Sequence, residues 1–583
     1  MRVRSKNSPN PENGFHLKPP SILRNRRHFV VFAVLMAVCL GIIYGNSFDS
    51  EWHLDDRLIT VRNKNLQLDS LSWQAIRQTF YAPRGQDQNT GKSPQRFVRP
   101  VVSLTLALNY YFGQTNVIGY HIVNLLIHYI TAIFLFLFIV QTLNLPSLKT
   151  RYAETSYAIA LLAVFFWATS PVQVSAVTYI VQRMSSMAGM GYIMAMYFYV
   201  KGRISTAKGK PWIFFVCAVL SWLMALGSKE NAAMLPVSLI LYELLFLQER
   251  GRNVFQKPSQ MLLIVFPVMV VMGFVYGAFS IGVAMLTDYG PYSFSLTERL
   301  LTSPRIFLFY ISILLYPIES RMTLLYDIAV SKSLFEPLNS LLPIMGIAVF
   351  IAMAIWLIRR KRYLFVYCMF FFFLNHLIEG TVIPLHLAFL HRNYIPSMLF
   401  FVPPAVLMVH VLGYFSYHRG IQWVMAVGIG LILAAQGSVT FSFNRIWKTE
   451  QTLWQDNIDK FPNLSLPHHN LGSALYSARN FAQAQVKFQR ALDLNRDQVP
   501  SHFNLYRLNL AKTLIIQNRK IDTAISYLDR LIRGWPLKAD VHDTMGMAQM
   551  RKGDYEAAAA FFQKAIQLSP KTGAYHLNFA LGL

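Results

Sequence analysis

The chain reads as all-α: a polytopic bundle of membrane-crossing helices followed by a C-terminal solenoid of tetratricopeptide (TPR) repeats. Three observations predict this class. Hydrophobic residues make up 54% of the 583 positions and charged residues only 14%. Apolar runs of roughly 20 residues, the length that crosses a hydrocarbon core, recur up to Phe443. Past Arg445 the hydropathy falls and a helical repeat begins.

Spans are expected near 28–46, 119–143, 155–171, 180–200, 211–227, 232–248, 260–283, 340–359, 363–378, 393–414 and 421–441, about eleven crossings. Cys39, Cys217 and Cys368 all fall inside these spans, so no disulfide framework is expected. The first apolar segment lacks a small-residue cleavage site and reads as an anchor rather than a removable signal. This divides the chain into a basic tail at 1–27, a transmembrane domain at 28–443 whose first outer loop covers about 47–99, and a repeat domain at 444–583.

Lys and Arg in the short loops set the expected orientation. They collect before Arg27, at Lys149 and Arg151, from Lys201 to Lys210, from Arg250 to Lys257, and at Arg359-Arg360-Lys361-Arg362, all on one side of the spans as drawn. That side is assigned to the cytoplasm of a bacterial-type inner membrane, with the N-terminus inside and the repeats periplasmic. The net charge of +26 is then largely an orientation signal, and no nucleic-acid partner is expected. Pro304 to Pro317 is apolar, but a crossing there would put Arg359 to Arg362 outside, so it is read as re-entrant or interfacial.

In the C-terminal region Leu471, Gly472, Ala484, Phe488 and Ala491 occupy the small and large positions of a TPR unit, where Gly and Ala let paired helices approach and an aromatic fills the gap. Met545, Gly546, Ala558, Phe562, Ala565 and Pro570 repeat the pattern. The unit between them, with Ala524, Leu528, Leu531 and Pro536, carries an insertion expected around Ile516 to Ile521. Residues 574–579 look like the opening helix of another unit or a cap. Such stacks present concave surfaces to peptides, so a protein partner is expected there.

The chemistry-bearing residues gather on the expected outer face. Asp55-Asp56 follows the first span, and two adjacent carboxylates at a membrane surface raise one another's pKa and suit a general base, although an Asp pair can also be a helix cap or a solvated turn. Arg99, Arg183, Lys229 and Arg392 sit at the same face, where cations suit the phosphate of an anionic lipid. Glu230, His391 and Tyr394 are further candidates, and an internal Lys229–Glu230 ion pair is the bland reading of that turn. Glu379 with His376 and His386 is a weaker outer-face group. His121, Asn124 and His128 form one polar stripe of a helix, expected to serve packing, because histidines two turns apart on a straight helix cannot chelate one ion. No metal site is therefore assigned. A divalent cation could assist, and the residues require none. There is no Gly-rich phosphate cradle, serine-hydrolase elbow or Cys-rich metal site.

The order Asp55-Asp56, Arg99-Pro100, Gly119 to His128, Ser170 to Val177, Gly227-Ser228-Lys229-Glu230 and then TPR units resembles the transmembrane and TPR-containing (TMTC) O-mannosyltransferases and their bacterial relatives. The resemblance implies a GT-C class membrane glycosyltransferase that takes a sugar from a polyprenyl-phosphate carrier, with Asp55 as the catalytic acid of the first outer loop and Asp56 as its neighbour. It departs at Gln182-Arg183, where Gly-Arg would be expected, and at His391-Arg392-Asn393-Tyr394, which replaces a more acidic segment; donor sugar and acceptor are not carried over. The expected activity is transfer of a lipid-linked sugar or glycan to Ser or Thr hydroxyls of an exported protein held by the repeats. The alternatives are a noncatalytic membrane-anchored TPR scaffold and a polyprenyl-lipid transporter or flippase.

Overall fold

The structure is a computed structural model that describes residues 26–81, 99–205, 210–247, 294–337, 340–380, 383–494 and 500–582. The span expected near 260–283 and the basic tail up to residue 25 lie outside the described residues. Among the described residues the fold is helical, with no β-strand.

In the N-terminal half, α1 (Arg26–Tyr44) is followed by α2 (Pro100–Gly113), α3 (Val117–Leu143), α4 (Ser156–Ala168), α5 (Arg183–Ile204), α6 (Pro211–Leu226) and α7 (Leu235–Tyr242). After the undescribed stretch come α8 (Leu296–Leu315), α9 (Leu341–Arg359), α10 (Tyr363–Gly380), α11 (Val402–Tyr414) and α12 (Arg419–Ile446). Among the described residues seven helical runs are long and apolar enough to cross a membrane, or eight if α4 and the short helix after it, bent by 51°, form one span. Length and apolarity thus support a multi-pass bundle; of the eleven spans expected, the one near 260–283 lies outside the described residues, and those near 180–200 and 211–227 are not among these runs. Both of the latter have particular causes. α6 is 16 residues long, short of a full crossing, and α5, although 22 residues long, begins on Arg183 and ends on Lys201 and Arg203.

α5 lies at the centre of the bundle, buried on nearly every side. Its glycines make this possible: a Cβ on Gly191 would sit 2.5 Å from the Ser221 carbonyl of α6, and one on Gly189 would sit 2.5 Å from the Tyr394 ring. The outward faces of α1, α9 and α12 carry exposed Val, Leu, Ile and Trp side chains such as Val30, Leu342, Trp356 and Leu431, as lipid-facing surfaces do. The segment read as re-entrant or interfacial belongs to α8, an unbroken 20-residue helix with Pro304 inside it, so there is no reversal at that point. The helix starts earlier than its apolar run because Ser295 and Glu298 form a reciprocal capping box.

Beyond α12 the chain continues as α13 (Glu450–Lys460), α14 (Ser465–Ser477), α15 (Phe481–Leu494), α16 (Pro500–Ile516), α17 (Ile521–Gly534), α18 (Ala539–Lys552), α19 (Tyr555–Leu568) and α20 (Gly573–Gly582). α14/α15 and α18/α19 are paired as the repeat pattern predicts. A Cβ on Gly472 would lie 2.8 Å from the Phe488 ring and one on Gly546 2.7 Å from the Phe562 ring, so each glycine is the gap its aromatic fills. The surplus in the middle repeat does not form a loop: α16 runs for 17 residues against 13 in α14 and 14 in α18, and only 517–520 separate it from α17. A shared device sets the spacing, as His468, His542 and His576 each place Nε2 against the carbonyl of a proline six residues earlier, at 2.9, 2.8 and 2.8 Å.

Candidate functional site

The outer loop after α1 turns sharply at Leu54, whose φ of 44° lies in the left-handed region that side chains with a Cβ avoid. The turn sends the two carboxylates in opposite directions. Asp56 is fully buried, and its two oxygens accept the backbone N–H groups of His53 (3.1 Å) and Val181 (2.7 Å). Those donors favour the carboxylate, but burial outweighs them and pushes its pKa up to about 8. Asp55 is exposed. Its N–H donates to the Tyr179 hydroxyl at 3.1 Å, and that phenol also interacts with its carboxyl group. Partial desolvation raises the Asp55 pKa above the ordinary aspartate value, with Tyr179 opposing. Asp56 is thus built into the fold, whereas Asp55 is presented.

The start of α5 lies behind this turn. Arg183 is fully buried; its Nε donates to Asn124 Oδ1 (2.6 Å), its Nη2 to the Tyr120 carbonyl (3.0 Å), and its Nη1 has no hydrogen-bond partner among the described residues. Asp56, when ionised, acts on it favourably. The polar stripe of α3 serves this assembly as well as packing: Asn124 bridges Arg183 to the Val177 carbonyl (3.0 Å), His121 reaches the Ser50 carbonyl (3.2 Å), and His128 meets the Tyr394 hydroxyl (2.9 Å).

Beside Arg183, at Met184 and Ser185, the remaining cations gather. Lys229, 6% exposed, pairs with Glu379 of α10, 7% exposed, at 2.5 Å and also donates to Ser185 Oγ at 3.1 Å. Burial lowers the Lys229 pKa even with Glu379 opposing, and Arg99 and Arg392 add to the lowering. Arg99 holds Glu230 through two hydrogen bonds, 3.1 and 3.0 Å, and touches the Met184 sulfur. Arg392 donates to the His386 and Leu387 carbonyls at 2.6 and 3.2 Å and lies over the Phe389 ring. His391 is held well below its ordinary pKa by burial and by Lys229, Arg392 and Arg99, so it is neutral. Its Nδ1 is buried without a hydrogen-bond partner among the described residues.

The expected residues therefore form two adjoining groups. Asp55, Asp56 and Arg183 make one; Arg99, Lys229, Glu230, His391 and Arg392 make the other; consecutive residues Arg183, Met184 and Ser185 touch both. Three particulars differ from the sequence reading. Lys229 does not pair with Glu230, because the backbone at Lys229 is extended and sends neighbouring side chains opposite ways, Lys229 to Glu379 and Glu230 to Arg99. Tyr394 lies in the bundle interior against His128 and Trp167, away from the cation group. Arg183, Lys229 and Arg392 are buried, leaving Arg99, with a side chain 32% exposed, as the accessible cation of the four.

The sequence reading did not single out Tyr179, and the central role of Glu379 was masked by its distance of 150 positions from Lys229. Glu379 was nonetheless visible as an acid at the end of an apolar span, where an unpaired charge is costly. Among the described residues no group of three or more His, Cys, Asp or Glu side chains is arranged to hold a metal ion.

Comparisons with known proteins match this architecture. Residues 539–572 fit the family model described as "Tetratricopeptide repeat". A human protein named protein O-mannosyl-transferase TMTC4 is 27% identical over 33% of this chain and 26% of its own length. A Caenorhabditis elegans protein O-mannosyl-transferase is 22% identical over 79% of this chain and 62% of its own, and Drosophila melanogaster protein O-mannosyl-transferase Tmtc3 is 26% identical over 41% and 28%. The chain thus spans between about a quarter and just under two thirds of the length of these relatives. A solved chain of the APC/C hetero-tetramer Cut9-Hcn1 aligns with 83% of this chain and 90% of its own at 14% identity, with a TM-score of 0.24. Taken with the apolar helix bundle and the C-terminal repeats, these matches make the chain a multi-pass membrane relative of the TMTC protein O-mannosyl-transferases.

Proposed function

We propose that this chain is a membrane glycosyltransferase of the GT-C class that moves a sugar or glycan from a polyprenyl-phosphate-type lipid carrier to Ser or Thr hydroxyls of an exported protein. The observation that carries this reading is the division of labour at Asp55-Asp56: one acid is locked by two backbone N–H groups, and the other is presented at the surface with a raised pKa. Asp55 accepts the proton of the acceptor hydroxyl as its oxygen attacks the anomeric carbon and the bond to the carrier phosphate breaks. A raised pKa makes Asp55 a stronger base than an ordinary aspartate. A scaffold alone would have no use for this arrangement.

The phosphate that leaves carries negative charge, which the neighbouring cations stabilise. Arg99 is the first to meet it, because its ion pair with Glu230 is solvent-exposed and so readily exchanged. Arg392 and Arg183 lie deeper and have no carboxylate within ion-pairing distance among the described residues, so their charge remains to act on an anion. The repeats receive the acceptor. In support, their grooves hold a cavity of about 190 Å³ lined by Tyr476, Lys512, Asp540 and Asp543, and a neighbouring one of about 260 Å³ reaching Ser473 and Asn509. In this reading the N-terminus is cytoplasmic, and the acid turn and the repeats face the periplasm.

Comparing O-linked glycopeptides of exported proteins from cells with and without the chain tests the proposal. Loss of a defined set of Ser/Thr glycopeptides is the expected result; an unchanged profile together with altered distribution of the lipid carrier across the membrane would favour a flippase.

A further inference from the structure

The turn that presents Asp55 is tethered at every residue, and part of the tether comes from far along the chain. Leu54 holds its left-handed conformation with no glycine to ease it. A bulky residue stays in such a conformation only where its surroundings over-determine it. On one side, His53 donates its N–H to Asp56 Oδ2, and Asp55 donates its N–H to Tyr179. On the other, the His53 ring meets the Trp447 carbonyl at 2.6 Å, Glu51 N–H donates to the Lys448 carbonyl at 3.0 Å, and Leu54 N–H donates to Glu450 Oε1 at 3.3 Å. Glu450 also lies 3.9 Å from the Arg57 guanidinium, so its carboxylate sits between the residues flanking the Asp55-Asp56 pair.

Glu450 is the first residue of α13, the helix that joins the membrane bundle to the repeats. Its helix is anchored independently: Thr449 and Thr452 cap it, Asn457 donates to the Leu325 carbonyl at 2.9 Å, and Lys460 donates to the Met322 carbonyl at 2.7 Å. The acceptor oxygen for Leu54 is therefore delivered by a rigid element and not by a mobile surface side chain. We propose that Glu450 is a positioning residue of the transferase, holding Leu54 in its left-handed turn so that Asp55 faces the acceptor hydroxyl. The foot of the repeat stack is thereby part of the assembled active site. This inference rests on the reading of Asp55 as the base.

The test uses the full-length chain and compares Glu450→Ala with Glu450→Gln, which keeps an acceptor oxygen in place. Glu450→Ala is expected to lower kcat by about 10- to 100-fold, as misplacement of a reacting group by about 1 Å does, while the donor and acceptor KM stay within about two-fold. Glu450→Gln is expected to retain most of kcat. Adding Leu54→Gly to Glu450→Ala should restore part of the loss, since glycine enters the left-handed region without the tether. A merely structural role for Glu450 would not produce that rescue. If Glu450→Ala does not purify folded, Glu450→Met, which keeps the volume but lacks the acceptor, takes its place.

An unchanged kcat in the variant that lacks the acceptor, an equal loss in Glu450→Gln, or a change confined to the acceptor KM would overturn the assignment. Asp55→Asn, run in parallel, separates the two readings. If it retains activity, the base assignment fails; if it is inactive while Glu450→Ala is unaffected, only the positioning role fails.

Discussion

Neutralising Lys229 separates what that residue does for the fold from what it does for the donor. Lys229 and Glu379 are buried to 6 and 7% exposure and paired at 2.5 Å, so Lys229→Met removes the ion-pair partner of the Glu379 carboxylate in a desolvated site, leaving it a long hydrogen bond from Asn231 Nδ2 at 3.4 Å and the more distant charge of Arg392. Breaking one side of such a pair costs about 3–5 kcal/mol. Glu379→Gln should cost a similar amount by stranding the lysine. The double variant Lys229→Met/Glu379→Gln removes both charges and should recover most of the stability, because replacing a buried pair as a unit is close to neutral. If Lys229 contacts the donor phosphate, the recovered protein still lacks a charge-assisted hydrogen bond of about 1.5–3 kcal/mol, which raises the donor KM by about 10- to 150-fold. The assays are thermal unfolding of the purified protein in detergent and steady-state transfer with a lipid-linked donor. A double variant as unstable as the single ones would refute the reading of Lys229 and Glu379 as a mutually compensating pair. A double variant with the wild-type donor KM would remove Lys229 from the phosphate site.

Other substitutions test separate parts of the structure. Asp56→Asn supplies one acceptor oxygen where two backbone N–H groups point, so one buried N–H loses its partner at a cost of about 1–3 kcal/mol, read as a lower unfolding temperature. The folded Asp56 pKa of about 8 exceeds the unfolded value near 3.9, so the folded state binds more protons between these values. Stability from this group is full below about pH 4, falls through about pH 8, and is lost above it; in Asp56→Asn that part of the pH dependence should vanish from unfolding curves. Glu230→Gln frees Arg99 from its ion pair and should lower the donor KM, whereas an increase would mean that Glu230 itself helps hold the donor. Gly546→Ala places a Cβ 2.7 Å from the Phe562 ring and should destabilise the repeats by about 1–3 kcal/mol, seen as accelerated proteolysis beyond Ala539.

The architecture was legible in the sequence because its signals are local. Apolar length marks a span, and the Gly/Ala/Phe spacing at Gly472, Phe488, Gly546 and Phe562 marks a helix pair without reference to anything distant. α2 is too short, at 14 residues, to show as a crossing, and α8 begins before its apolar run because the polar Ser295–Glu298 box, not hydropathy, sets its start. The site was legible in its residue types and hardly at all in its pairings. Arg99 finds Glu230 across 131 positions, Lys229 finds Glu379 across 150, and Leu54 finds Glu450 across 396. Only the packing of the bundle decides which of these meet. Nor could composition reveal the left-handed turn at Leu54, since leucine carries no signal for it.

Purified chain reconstituted with a lipid-linked sugar and an exported acceptor protein gives the most direct measurement, comparing wild type with Asp55→Asn at matched folded protein. Asp55 is exposed and its backbone N–H bond to Tyr179 does not involve the substituted group, so the variant should fold. The account predicts a wild-type unfolding temperature and transfer reduced by about 10²- to 10⁴-fold, the contribution of a general base. Transfer at the wild-type rate by the folded variant would contradict it.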